Sequence, residues 1–449
     1  MRPTEAKDLP VAQKAPDPRA VRPVGGFPLL ADGLPAPGAP AEPPLPVRLR
    51  LDDDALEAVD RDVPAAVGRL LLDLLNERVE RAAVLDPVFG HDLAERVAAF
   101  TLEGGKRMRS RFVWWALRAC GGGPAEAEAA LRVGAALELI QTCALVHDDV
   151  MDGSPLRRGR PVLHADVAAQ YAGAVSHDGG RRFGEAAAIL AGDLALAWAD
   201  DTVAALEVDA DAGRRVRDLW SSMRTEMVAG QYLDLQGQVT SSASLARAVR
   251  AACLKSALYS VERPLALGAA LAGADSARTA ALCSAGRCVG IAFQLRDDLT
   301  DVFGDPSRTG KPTGGDIRAG KPTYLAAVAR ARAEAAGDRR ALAVLGRSLG
   351  RADLPDSRLG EVRDVLVATG ARDVVEAKID RLVAQGMRHL DSVPLEPQAR
   401  RRLRELLHTA AGTDPGVGPG PGTDPGPCGA DEGMPVSALL TVGAEGVVR

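Results

Sequence analysis

Residues 125–152 read AEAEAALRVGAALELIQTCALVHDDVMD, and the architecture follows from them. Alanine and leucine dominate, the two residues that fill a helix interior at least cost. The run is too long for a strand and fits one core-crossing helix. Gly121-Gly122-Gly123-Pro124 ends whatever precedes it and restarts the chain, and Gly153-Ser154-Pro155 ends the helix itself. Three aspartates, Asp148, Asp149 and Asp152, crowd its last turn. Negative charge there opposes the helix dipole, so stability alone does not account for it.

On either side the same periodicity continues. Helices are expected near 65–83 and 106–120 before this stretch. After it they are expected near 185–210, 214–235, 243–262, 263–273 and 276–303, the pair meeting at Pro264. Further helices are expected near 323–336, 339–349, 358–369, 372–390 and 395–410. Residues 304–322, rich in Gly, Lys and Pro, read as a loop. Aromatic residues make up only 3% of the chain, which removes the usual strand formers and excludes an all-β fold. No repeat at solenoid periods occurs, so the expectation is one all-α domain, a single helical bundle over 51–411. Twelve of the 30 prolines fall in residues 1–50 and six in 412–449, so both ends are expected to be disordered.

The formal net charge is −5 with no long basic run, so nucleic acid is not an expected partner. No apolar stretch of membrane-spanning length is read, and no secretory h-region follows the first charges. The six cysteines form no CxxC pair, which suits reduced thiols and a cytoplasmic location.

The acidic pattern recurs. Gln294-Leu295-Arg296-Asp297-Asp298-Leu299-Thr300-Asp301 closes the helix expected at 276–303. In both clusters the first and last aspartates are four apart, on one face, about 5–6 Å apart at Cβ. Short carboxylates suit Mg²⁺, which keeps its waters and shares ligands with phosphate. The two clusters therefore read as half-sites for a metal–diphosphate complex. Basic groups accompany them. Lys106 and Arg109 follow Gly104-Gly105; Arg157, Arg158 and Arg160 follow the first cluster; Lys311 and Lys321 follow the second; Lys255 lies within a helix. The chain has seven lysines against 48 arginines, and four of the seven occupy these contexts, where a compact ammonium differs from a planar fork. No GxxxxGK[ST] loop is present, so phosphate is not held in the NTPase manner.

The ordered set GGKRxR, HDDxxD followed by RRGxP, GQxxDL (Gly230, Gln231, Asp234, Leu235) and FQxxDDxxD followed by GKP…GD…GKPT resembles the trans-isoprenyl diphosphate synthases, or polyprenyl synthetases. The resemblance runs from Glu103 to Thr323. It implies an all-α bundle of the isoprenoid synthase type around a central cavity, usually a homodimer. Asp148, Asp149 and Asp152, with Asp297, Asp298 and Asp301, would hold three Mg²⁺ ions on the diphosphate of an allylic substrate. Arg157, Lys255, Gln294, Lys311 and Lys321 would complete that site, and Lys106, Arg109 and Arg158 would bind isopentenyl diphosphate. Two positions depart from the pattern: Gln141 stands where the family often has His, and Ser256 where it usually has Thr after the lysine. The implied reaction is prenyl transfer by ionisation of the allylic diphosphate. No dedicated catalytic His or Ser is needed, and His147 and His164 read as structural.

The growing tail is expected to run along the helix before Asp148, past Cys143 and Ala144. Both are small, which favours the twenty-carbon product, geranylgeranyl diphosphate, over fifteen carbons. A class I terpene cyclase needs an asparagine-containing second motif, and the one asparagine, Asn76, lies far upstream. A phosphohydrolase of HD type, suggested by His147-Asp148 and His91-Asp92, leaves the second aspartate cluster without a role. A non-catalytic synthase subunit typically lacks one aspartate motif, and here both are intact.

Overall fold

The computed structural model describes residues 52–157, 159–240, 245–305 and 313–413. Arg158, Lys311, Cys428, the leader 1–50 and the tail from 414 onward lie outside the described residues. Helices in order are α1 (Asp53–Arg61), α2 (Val63–Leu85), α3 (Pro87–Phe89), α4 (Glu95–Leu102), α5 (Met108–Ala119), α6 (Pro124–Met151), α7 (Leu163–Gln170), α8 (His177–Ala204), α9 (Ala210–Thr240), α10 (Leu245–Ala252), α11 (Arg263–Leu271) and α12 (Ser276–Phe303). They continue as α13 (Gly315–Ala319), α14 (Tyr324–Ala335), α15 (Arg339–Ser348), α16 (Asp356–Ala368), α17 (Ala371–Asp391) and α18 (Pro397–Ala411). The fold is all-α. The described strands are two residues each, β1 (Leu156–Arg157) and β2 (Arg160–Pro161), paired antiparallel after α6.

Helix α6 is the axis, packed between α8 and α5, while α12 lies against α17 and the segment before α11. Glycines and proline set its start. Gly122 N–H bonds the Leu117 carbonyl (3.0 Å) and Gly121 N–H that of Arg118 (3.1 Å), with Gly121 left-handed at φ 89°, which closes α5. Pro124 then begins α6, and the Glu126 carboxylate accepts from Gly123 N–H (3.0 Å). At the far end Gly153 (φ 60°) repeats the closure: Ser154 N–H bonds the Asp149 carbonyl at 3.0 Å. By length and hydropathy α6 could cross a membrane, contrary to the sequence expectation; 78% of its most apolar window is buried inside the bundle, as befits a core helix.

Several boundaries differ from expectation, among them α9, which spans Ala210–Thr240, and the unexpected α1, α4 and α7. Helix α8 begins at His177, through Gly179-Gly180, because Ser176 caps it (Gly179 N to Oγ, 3.2 Å) and it packs tightly on α7. A Cβ on Gly184 would meet the His164 carbonyl at 2.1 Å. Residues 304–322 are not all loop, since α13 forms between the left-handed Gly314 and Gly320. No break occurs at Pro264. A ten-residue π-helical segment, Cys253–Glu262, runs directly into α11, whose first turn tolerates proline.

Candidate active site

Both acidic helix ends converge on one place. From α6, Asp152 Oδ2 lies 3.9 Å from Lys321 Nζ, and Lys321 Nζ lies 3.4 Å from Asp316 Oδ1. The backbone N–H groups of Gly315 and Asp316 donate to Asp301 of α12 (3.2 and 3.0 Å). Lys321 and α13 thus bridge the first cluster to the second. The α13 N-terminus takes its cap from Asp301, a partner that local sequence patterns do not reveal.

Helix α9 and the π-helical segment join the first cluster from another side. Lys255 Nζ donates to Asp148 Oδ1 (3.2 Å) and to Asp234 Oδ2 (3.0 Å), and Gln231 Nε2 donates to the same Asp148 oxygen (3.1 Å). Gly230 makes this approach possible: a Cβ there would sit 2.2 Å from the Lys255 backbone nitrogen. Asp234 and Asp316 both fall within motifs read from the sequence, yet their roles as lysine partners appear only in the fold.

The two clusters divide their aspartates in the same way. Asp148 and Asp152, and Asp297 and Asp301, retain exposure, while the middle residues are buried, Asp149 at 2% and Asp298 at 7% exposure. A residue one step along a helix points about 100° away, which turns it inward. Asp149 accepts from Arg157 Nε (2.8 and 3.0 Å) and Nη2 (2.7 Å), and Asp298 accepts from Gln294 Nε2 (2.9 Å). Arg157 and Gln294 are thereby held at the rim.

Charge balance differs between the halves. Burial pushes the Asp148 carboxyl up, but Lys255, with Lys321 and Arg157, outweighs it and holds the pKa below the ordinary value. Burial also disfavours the Lys255 ammonium, yet Asp148 and Asp234 keep its pKa above the usual one. Burial raises Asp152, with Asp148 adding to it against Lys321. On α12 burial dominates: Asp298 is pushed up to about 8 and Asp301 to about 6, with Asp316 and Asp297 as like-charge neighbours. An oxygen-only donor set short of positive charge fits a hard dication. Among the described residues no three His, Cys, Asp or Glu side chains suffice to hold an ion by themselves. Magnesium, which completes its shell from water and phosphate oxygens, matches such a set.

The remaining candidate residues lie at the start of α5, on α6 and on the π-helical segment. Lys106 is exposed beside the α5 N-terminus. Arg109 stacks over the Tyr259 ring at 4.3 Å and donates to Ser260 Oγ (3.0 Å), with its Nε buried and without a hydrogen-bond partner. Gln141 and Ala144 are half-buried, on the same side of α6 as Asp148, and Ser256 is half-buried next to Lys255. Cys143 turns the other way, buried, its Sγ 3.8 Å from His147 Nδ1; His147 Nε2 lies 3.0 Å from the Ile189 carbonyl. Burial pushes the Cys143 thiol up to about 12, so this Cys–His contact is packing, not a nucleophile.

Comparison with known proteins identifies the family. The polyprenyl synthetase family model matches residues 91–354. A geranylgeranyl diphosphate synthase of Mycobacterium tuberculosis is 35% identical over 296 residues, 62% of this chain and 78% of that one. A (2E,6E)-farnesyl diphosphate synthase of the same organism is 31% identical over 305 residues, 68% of this chain and 78% of that one. Among solved structures, the Corynebacterium glutamicum geranylgeranyl pyrophosphate synthase complexed with isoprenyl diphosphate and magnesium superposes with a TM-score of 0.71. It is 37% identical and covers 77% of this chain and 98% of its own. With two aspartate clusters linked through Lys321 and α13, and a match over more than half its length, the chain belongs to the polyprenyl synthetase family of prenyltransferases.

Proposed function

We propose that the chain condenses isopentenyl diphosphate with allylic diphosphates and releases geranylgeranyl diphosphate, the twenty-carbon product. The observation that carries this reading is the Asp152–Lys321–Asp316–Asp301 chain of contacts, which joins the two carboxylate clusters through a lysine, with Lys255 on Asp148 beside it. Three Mg²⁺ ions held by the clusters would neutralise the leaving diphosphate and assist its departure. Asp148, Asp152, Asp297 and Asp301 offer the accessible oxygens, while Asp149 and Asp298 act by holding Arg157 and Gln294. Lys255, Arg157, Gln294, Lys321 and Ser256, with Lys311, contact the allylic diphosphate. Lys106, Arg109 and Gln141, with Arg158, bind that of isopentenyl diphosphate.

The residues around the reacting carbons act by position and charge. Lysine and arginine stabilise the negative charge that builds on the departing oxygens as the allylic C–O bond ionises. The apolar wall of α6 shields the allylic cation from water. The isopentenyl double bond attacks that cation, and the released diphosphate takes the proton. Ala144, on the side of Asp148, leaves room for a lengthening tail. A fifteen-carbon product is the second reading, favoured by the similarity to farnesyl diphosphate synthases.

Homodimerisation belongs to the same proposal: Phe183, Ile189 and Leu190 leave an apolar strip of α8 exposed, suited to burial against a second copy. So does a cytoplasmic location, which the free cysteines among the described residues support. Pyrophosphate release measured with geranyl diphosphate, with and without isopentenyl diphosphate and Mg²⁺, tests the reading. Release is expected only when all three are present; release from the allylic substrate alone would favour a cyclase.

A further inference from the structure

The sequence GGKRMR carries three cations, of which the proposed function uses two. Arg107, between them, is the one non-glycine residue with positive φ among the described residues (φ 46°, ψ 42°). Glycine adopts this conformation without strain, and Gly104 and Gly105 stand just before it. An arginine at the strained position implies that its side chain is needed. That side chain does not face solvent with Lys106. It turns inward to 7% exposure, with Nη1 3.3 Å from Oε2 of Glu138, itself at 9%, a buried ion pair held by charge without hydrogen-bond alignment. Arg107 Nη2 reaches the carbonyls of Thr101 (3.5 Å) and Leu102 (3.3 Å) at the end of α4. The other oxygen of Glu138, Oε1, accepts from Ser110 Oγ at 2.9 Å, within the first turn of α5. Glu138 lies three residues before Gln141 on α6. One buried pair therefore ties together the end of α4, the glycine loop, the start of α5 and the helix that carries the first aspartate cluster. The planar guanidinium can meet a carboxylate and two carbonyls at once; an ammonium cannot match that fork.

We infer that Arg107 and Glu138 are positioning residues for the second substrate: their contact fixes the glycine loop on α6 and so sets Lys106 and Arg109 around the isopentenyl diphosphate. The inference rests on the proposed reading of Lys106 and Arg109. It is tested by steady-state kinetics of the full chain with Mg²⁺, with isopentenyl and geranyl diphosphates varied in turn. Arg107→Gly keeps the left-handed backbone and removes the clamp. It should raise the KM for isopentenyl diphosphate about tenfold while kcat and the KM for geranyl diphosphate stay within about twofold. Glu138→Gln keeps the volume and should shift the same KM in the same direction. The double variant should be no worse than Arg107→Gly alone, since both lose one contact. Arg107→Lys should recover only part of the loss.

Thermal unfolding of each variant separates placement from folding, and Glu138→Gln carries the test if Arg107→Gly does not fold. A lowered melting temperature with an unchanged isopentenyl diphosphate KM, equal losses for both substrates, or multiplicative effects in the double variant would overturn the inference. Lys106→Ala distinguishes its failure from that of the underlying reading. An unchanged KM there overturns the assignment of the loop itself. A raised KM there with an unchanged one in Arg107→Gly overturns the clamp alone.

Discussion

Arg157 grips Asp149 with one edge of its guanidinium: Nε lies 2.8 and 3.0 Å from the two carboxylate oxygens and Nη2 lies 2.7 Å from one of them. The aspartate is buried, so the pair cannot be broken from one side without leaving a charge in a poorly solvated place. Arg157→Ala is therefore expected to lower stability by about 3 kcal/mol, and Arg157→Lys to restore little of it because the two-pronged geometry is lost. Urea unfolding curves of the three proteins measure this. Equal midpoints would show that Arg157 contributes nothing beyond its contact with substrate.

The raised carboxyls of α12 predict a pH dependence. Asp298 is pushed up to about 8 and Asp301 to about 6, first by burial and then by like charges. An unfolded aspartate titrates near 3.9. Both groups therefore favour the native state when protonated; their contribution is complete below about pH 4 and is lost as pH rises through 6 and then 8. In EDTA the melting temperature should fall between pH 5.5 and pH 8.5, and Asp298→Asn should lessen that fall. Adding Mg²⁺ with inorganic pyrophosphate should reverse it and release protons to the buffer, because the ligands bind metal as carboxylates. Calorimetry in buffers of different ionisation enthalpy reads the proton release directly.

Gly230 offers a steric test. A Cβ would lie 2.2 Å from Lys255 N and 2.7 Å from its Cα, both backbone atoms that cannot step aside. Gly230→Ala should cost about 1–3 kcal/mol and, by displacing Lys255, lower kcat at least about tenfold. On the same helix, Gly237→Ala meets only Pro322 Cγ at 3.5 Å, an ordinary contact, and should leave kcat unchanged. Thermal unfolding with activity on the two variants decides it.

Residues 143 and 144 should respond differently to an aromatic side chain. Ala144→Phe enters the half-open side of α6 and should shorten the product from twenty to fifteen carbons. Cys143→Phe has no such space, since Cys143 is buried against His147, and overpacking there should cost about 1–3 kcal/mol. Chromatography of products and a melting curve for each variant check the contrast.

The long helices, their order and the placement of both aspartate clusters at helix ends are legible in sequence, because 3.6-residue periodicity and glycine or proline stops are local signals. The π-helical segment is not, since its geometry depends on close contact with Gly230 and Gly290 on neighbouring helices. Nor is α13, whose start is capped by Asp301 from 14 residues away. Within the site, each carboxylate could be assigned to a cluster but not to a partner. That Asp149 turns inward to Arg157 while Asp148 meets Lys255 is a property of helix packing. The buried Arg107–Glu138 pair was hidden for the same reason: Glu138 sits in an apolar run where only the folded chain supplies its partner.

The most direct test of the account is to incubate the full chain with Mg²⁺, labelled isopentenyl diphosphate and, separately, dimethylallyl, geranyl and farnesyl diphosphates, then to chromatograph the dephosphorylated products. Elongation from the allylic primers to a dominant twenty-carbon alcohol, abolished by EDTA, is expected. A dominant fifteen-carbon alcohol would contradict the product assignment, and no elongation from any primer would contradict the catalytic reading itself.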